Sequence, residues 1–225
     1  MNQNHPLQVQ TKLLQGSFKE GDAVILTYKI EYPFFTSTRY EMCLKKLNRF
    51  YQEQAQTYQR YVETELYLDA KEQYAFARKK GFPVMEYQAI QAFTMAFQQG
   101  CILSLYRETY EFTGGAHGST ARDSQTWNLQ GCRQLTLSDL ILCGPDPKTY
   151  IVQEAVRQIQ QNPDIYFDDS QERLSDTFRP ESFYVVPDGL VVYYQQYDIA
   201  PYSSGIRTFL LPYGACVRHP LQTCF

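Results

Sequence analysis

The feature that most restricts how this chain can fold is a single apolar and tyrosine stripe. Tyr40, Leu44, Leu47, Tyr51, Ala55, Tyr58, Val62 and Leu66 recur at steps of four and three, and Ala70, Tyr74 and Ala77 prolong the series. Only an α-helix puts residues so spaced on one face. Lys79, Lys80, Gly81 and Pro83 then supply a cationic last turn, a glycine that can close it and a stop. Thr38-Arg39-Tyr40-Glu41 reads as a capping box at the start. The spacing thus predicts one helix of up to about 40 residues, roughly 60 Å long, with room for a break near Asp69. The tyrosines are expected to form a core face whose hydroxyls reach the rim, in preference to an aromatic platform for a ligand.

The rest of the chain is patterned for strands. Ala23–Tyr32 is β-rich and is expected to open the fold after a polar leader, with Pro33 ending it. From Tyr87 to Phe97 and again from Ile102 to Phe112 the period is two, with Gln99-Gly100 as the turn, and a glycine-rich link leads to Ala121–Leu129. These three strands read as an antiparallel meander with the long helix on one face. Leu135–Leu140 carries a cap-like signal, Asp146-Pro147 an N-cap followed by an N1 proline, and Tyr150–Gln161 a helix pattern. A short helix over Ser170–Phe178 and strands over Phe183–Val186, Leu190–Tyr197 and Ile206–Leu211 complete the reading. The fold class expected is α+β: a long N-terminal helix packed on an antiparallel β-meander, followed by a smaller helix-plus-antiparallel-sheet module. The expected division is residues 1–130 and 131–225, packed as one unit.

Composition removes several function classes. With 44% apolar, 15% aromatic and 20% charged residues the 225-residue chain is a folded protein. The net charge of −3 and the lack of a basic block longer than Arg78-Lys79-Lys80 argue against nucleic acid as a partner. No apolar run approaches the roughly 20 residues of a membrane span, and residues 1–15 do not resemble a signal peptide, so the chain as written reads as cytoplasmic. The six cysteines lie at no zinc spacing. They are expected to be reduced and structural, a reading that a Cys132–Cys143 or Cys216–Cys224 bridge would reverse.

Two segments carry a family resemblance. Tyr110-Glu111-Phe112-Thr113-Gly114-Gly115-Ala116-His117-Gly118 is similar to an element of a bacterial domain-of-unknown-function family found in the extracellular region of RsiV-type anti-sigma factors and the N-terminal module of PdaC-type peptidoglycan deacetylases. Gly189-Leu190, Tyr193-Tyr194, Tyr197-Asp198-Ile199-Ala200-Pro201-Tyr202, Gly205 and Leu211-Pro212-Tyr213 resemble its closing block. Together they span about residues 23–213. The resemblance implies binding of a lysozyme-type muramidase by the RsiV type, an accompanying role beside a catalytic domain in the PdaC type, and an extracytoplasmic setting for many members. It brings no catalytic residues, and, as written, the chain is expected to carry neither the sigma-binding segment nor the deacetylase domain.

Site residues follow from the same segments. Gly114, Gly115, His117 and Gly118 form a loop that either makes an anion nest with His117 as donor or base, or is a strand connection that needs glycine dihedrals and a hydrogen-bonded histidine. Pro201 and Tyr202 lie in a loop suited to recognition, or else to a buried corner. No metal site, cofactor or catalytic set is implied: there is no HExxH, GxSxG, GxxxxGK[ST] or GxGxxG, and Asp168-Asp169 reads as a solvated pair. The function expected is a non-catalytic binding or sensing module for a muramidase-type protein or a cell-wall glycan. A hydrolase centred on His117 and a cytosolic scaffold stand as alternatives. Oligomeric state is not legible.

Overall fold

The computed structural model describes residues 7–224. They form a mixed α+β structure whose elements run, from the start, strand first: β1 (Gln8–Glu20) and β2 (Ala23–Thr36) precede the long helix. The segment expected as a polar leader is therefore a 13-residue strand, pairing antiparallel with β2 from Gln8↔Thr36 to Glu20↔Ala23. Its alternation of small, polar and apolar residues (Leu14, Gly16, Phe18) is too polar to announce a strand, because one of its faces is exposed. Pro33 does not end β2. It sits within the strand opposite Thr11, a position where its missing N–H is tolerated, and the strand runs on to Thr36.

The helix is continuous from Glu41 to Lys80: α1 (Glu41–Tyr61), a π-helical turn (Val62–Leu66) and α2 (Tyr67–Lys80). No break occurs at Asp69. The π turn explains how the stripe stays on one face. Val62, Leu66, Ala70 and Tyr74 follow Tyr58 at successive steps of four, and each such step rotates about 40° past a full turn on a regular helix; one wider turn absorbs part of that drift. The three stripe positions from Val62 to Ala70, Val62, Leu66 and Ala70, pack in one cluster with Ile25, Leu26, Tyr28 and Ile30 of β2 and with Ala55, Tyr87 and Ala89. Thr38 is not the cap. Tyr40 holds the N-cap position without a side-chain cap bond, and Gly81 closes the C-terminus with φ +73°.

β3 (Tyr87–Gln99), β4 (Ile102–Phe112), β5 (Ser119–Asn128) and β6 (Arg133–Gln134) follow. The sheet is larger than the expected meander: six strands in the order β1-β2-β3-β4-β5-β6. Nor is it wholly antiparallel, because β2 and β3 pair in parallel from Leu26↔Tyr87 to Ile30↔Gln91. The long helix is the crossover connection that a parallel pair requires. Next come α3 (Leu137–Leu140), α4 (Pro147–Ile159) and α5 (Ser170–Asp176), close to expectation, with Thr136 and Asp139 in a capping box and Asp146 capping α4. A second sheet, antiparallel throughout, is made of β7 (Phe183–Val186), β8 (Gly189–Tyr194) and β9 (Arg207–Pro212). Gly189 is required there, since a Cβ would stand 2.4 Å from the Leu211 carbonyl oxygen.

Two compact units share these strands. One comprises the chain up to Phe93 and Glu108–Ser119; the other Thr94–Arg107 and the chain from Thr120 on. The cysteine expectation is overturned: Cys101–Cys224 and Cys143–Cys216 are disulfides, Cys43 and Cys132 are oxidised too, and no cysteine is free. Neither observed bridge is one of the two close-spaced pairs considered from sequence. The folded chain brings together cysteines 123 and 73 residues apart.

Candidate functional site

The first candidate loop belongs to the helical unit. Gly114 and Gly115 have φ of +92° and +89°, so the loop needs them for their backbone freedom. Gly118 has a different reason: a Cβ there would lie 2.5 Å from the Glu111 carbonyl oxygen and 2.6 Å from the Tyr110 ring. His117 is exposed, and its Nδ1 lies 3.0 Å from the Gly118 carbonyl oxygen, a bond that it donates when protonated there. Two strand ends anchor the loop. Glu111, inside the motif, accepts from Tyr58 Oη at 2.8 Å and Tyr61 Oη at 3.4 Å, tying β4 to the helix. Burial, and then the Glu111 carboxylate, push the Tyr61 phenol upward.

That tie is one of a series. Tyr28 Oη donates to Glu63, Gln59 Nε2 donates to both at 3.0 Å, and Tyr67 Oη donates to Glu20 at 3.0 Å. Burial, and then a bond to Asp69, push the Tyr87 phenol up to about 12. Of the stripe tyrosines, Tyr51 is buried in the core and Tyr58 carries its hydroxyl to a carboxylate at the edge; the other ties come from tyrosines beside the stripe.

The second candidate loop lies in the other unit, between β8 and β9. Tyr197 takes φ +66°, uncommon for a bulky side chain, and the residue is 52% exposed. Asp198 fixes the turn by accepting from Gln195 N and Arg179 Nη1, both at 2.8 Å. Ile199 and Ala200 are buried beneath it, and Phe167 N donates to the Ile199 carbonyl. Pro201 precedes a 3₁₀ turn over Tyr202–Ser204, held by Ser204 Oγ on the Ile165 carbonyl at 2.8 Å. Tyr202 is half-buried, with its ring centroid 6.0 Å from that of Tyr197. Neither sequence alternative for Tyr202 is met in full: it is partly packed and partly presented. Sequence reasoning passed over Tyr197, whose signal is a tyrosine between two glutamines and an aspartate, a poor setting for a core position.

The six expected site residues therefore fall into two sets, Gly114, Gly115, His117 and Gly118 in one unit and Pro201 and Tyr202 in the other. The closing motif is largely structural. Tyr194 Oη donates to the Leu174 carbonyl, Tyr193 Oη meets Ser124 Oγ at 3.1 Å, and Tyr213 Oη donates to the Val186 carbonyl. Burial is the main cause that raises all three phenols. Among the described residues no group of three His, Cys, Asp or Glu side chains is placed to hold a metal ion, and no helix is long and apolar enough to cross a membrane. A pocket of about 430 Å³, also missed from sequence, opens in the second unit beside the start of α4.

Family models match both halves. Residues 19–120 match the model described as deacetylase PdaC, and residues 138–214 match that of a protein of unknown function, DUF3298. The chain resembles these two families. Among solved structures, a DUF3298 family member from Bacteroides fragilis superposes with a TM-score of 0.71 at 20% identity, covering 96% of this chain and 95% of the other. A DUF3298 family protein from Pseudomonas aeruginosa PAO1 gives a TM-score of 0.60 at 18% identity, over 94% and 95%. These likenesses concern the fold. No curated protein matches.

Proposed function

We propose that this chain is a non-catalytic recognition module that binds a lysozyme-type muramidase, acting in an oxidising compartment. The observation that carries the reading is the Tyr197–Tyr202 loop. Two tyrosines stand 6.0 Å apart on a turn that is fixed by an ion pair, a proline and buried neighbours. Aromatic side chains on a rigid loop offer contact area at small entropic cost. The resemblance to the RsiV type supplies the partner class, and six oxidised cysteines fit a compartment outside the reducing cytosol. Calorimetry with a panel of muramidases tests it. Binding is expected, with Tyr197→Ala and Tyr202→Ala each weakening it at least about tenfold, as for aromatic anchors at interface centres. No binding across the panel, or unchanged binding by both folded variants, would sink the assignment. A glycan ligand is favoured instead if muropeptides bind and the same two substitutions abolish that, since exposed tyrosine rings also stack on sugars.

A further inference from the structure

The pocket beside α4 has a construction that points to its ligand. Its walls are apolar: Leu135 and Leu137 at the start of α3, Phe183 on β7, and Phe178. The hydroxyls on its floor are already satisfied. Ser124 Oγ donates to the Phe183 carbonyl and Thr126 Oγ1 lies 2.7 Å from Ser104 Oγ. A purely polar ligand would gain nothing from them.

The charges at the pocket divide differently. Asp146 is committed to capping α4, accepting from Thr149 N at 2.9 Å and Thr149 Oγ1 at 2.8 Å, and these bonds hold its carboxyl below the usual range. Lys148 and Glu181 are both exposed, and among the described residues neither is in an ion pair. The Lys148 ammonium stands 5.9 Å from the centre of the Phe178 ring, at the edge of the apolar wall. Lys148 also acts electrostatically on the neighbouring Asp146 carboxylate, so one cation beside a capping carboxylate, and the separate anion Glu181, border an apolar recess whose volume is that of a small-molecule site.

We propose that this pocket binds a small zwitterion with an apolar side chain: an apolar α-amino acid or a short apolar peptide. The side chain enters between Leu135, Leu137 and Phe183, the ligand carboxylate pairs with Lys148, and its ammonium pairs with Glu181. Opposite charges flanking the recess discriminate against simple fatty anions and simple amines, because each would satisfy one charge and leave the other without a partner. The site is independent of the Tyr197–Tyr202 loop.

Calorimetry on the full chain tests this with phenylalanine and leucyl-phenylalanine, alongside 3-phenylpropanoate, phenethylamine and N-acetylphenylalanine amide. Both zwitterions are expected to bind at least about tenfold tighter than the uncharged amide, as charge-assisted bonds require; the tighter of the two names the source. Lys148→Met should weaken phenylalanine and phenylpropanoate and leave phenethylamine unchanged, while Glu181→Gln should do the reverse for the two singly charged probes. Ser138→Trp, at an exposed lining position, should block every probe, and methyl shifts of Leu135 and Leu137 should report the occupied pocket. Equal binding of the uncharged amide, indifference to both charge substitutions, or no binding of any probe would overturn the proposal. Tyr197→Ala should leave these affinities unchanged, so failure here is separable from failure of the muramidase reading.

Discussion

The two units solve the problem of holding a β-rich fold together by different means. In the unit built on α1 and α2, a long amphipathic helix covers β2, and its tyrosines reach past the apolar stripe to carboxylates on other elements: Tyr58 and Tyr61 to Glu111, Tyr67 to Glu20. Asn48 adds a two-bond clamp on the Phe35 backbone, accepting from its N–H at 2.7 Å and donating to its carbonyl at 2.9 Å. The other unit has short helices, a three-stranded sheet and two internal disulfides, Cys101–Cys224 and Cys143–Cys216. Where one continuous helix buries a stripe, packing orders most of the unit, with Cys43 of α1 its one oxidised cysteine. Where elements are short and joined by loops, covalent links supply order that small cores do not.

The largest expected effect follows from those links. In the loop-entropy account, bridges that close loops of 123 and 73 residues each stabilise by about 4–5 kcal/mol. Cys143→Ala with Cys216→Ala should therefore lower the stability of the second unit by roughly that amount, read by denaturant melts with probes in each unit. If both units lost stability equally, the contrast drawn here would fail. Next in size, Leu47→Ala removes a fully buried side chain from the helical stripe and should cost about 3 kcal/mol. Hydrogen exchange should show that loss in α1 and β2 first. Even loss of protection across the chain would say that the helix stripe is not the principal support of its own unit.

Much of this contrast was legible in the residues, and what was hidden was hidden for physical reasons. The stripe from Leu44 to Ala77 and the caps at Thr136 and Asp146 are local signals, and they hold in the structure. The short strands β7, β8 and β9 lie within a few residues of the apolar runs and turns that mark them. β1 was missed because a half-exposed strand of Gln, Thr, Lys and Ser lacks an apolar pattern. The parallel pairing of β2 with β3 and the disulfides depend on long-range closure, which no window of sequence contains. The 430 Å³ pocket gathers residues from β5, α3, α4 and the segment before β7, so it too is a product of the fold. At the expected sites, glycine chemistry located the Gly114–Gly118 loop. The positive φ of Tyr197, set by Asp198 and the buried Ile199, gave no comparable warning.

The smallest predicted effect bears on whether the tyrosine–carboxylate ties of the helical unit are energetic supports or ornaments of a packed face. Glu111 receives two phenols, and a bond to a charged acceptor contributes about 1.5–3 kcal/mol where its partners are well shielded and less at a wetter edge. Both tyrosines are half-buried, so Glu111→Gln should cost about 1 kcal/mol, and the coupling in a cycle with Tyr58→Phe should recover most of it. The same substitution gives a sign that packing alone would not. Burial and the Glu111 charge hold the Tyr61 phenol above its ordinary value, so the unfolded chain releases that proton first as pH rises. Stability from the neutral phenol is full below about pH 10, the unfolded value, and is lost as pH climbs through the folded value. Removing the carboxylate charge should move that loss, followed by ultraviolet titration of tyrosinate, to lower pH. An unmoved titration with an unchanged melting curve would assign the helical unit's stability to the apolar stripe alone, leaving the phenol ties as consequences of how the helix lies on β2.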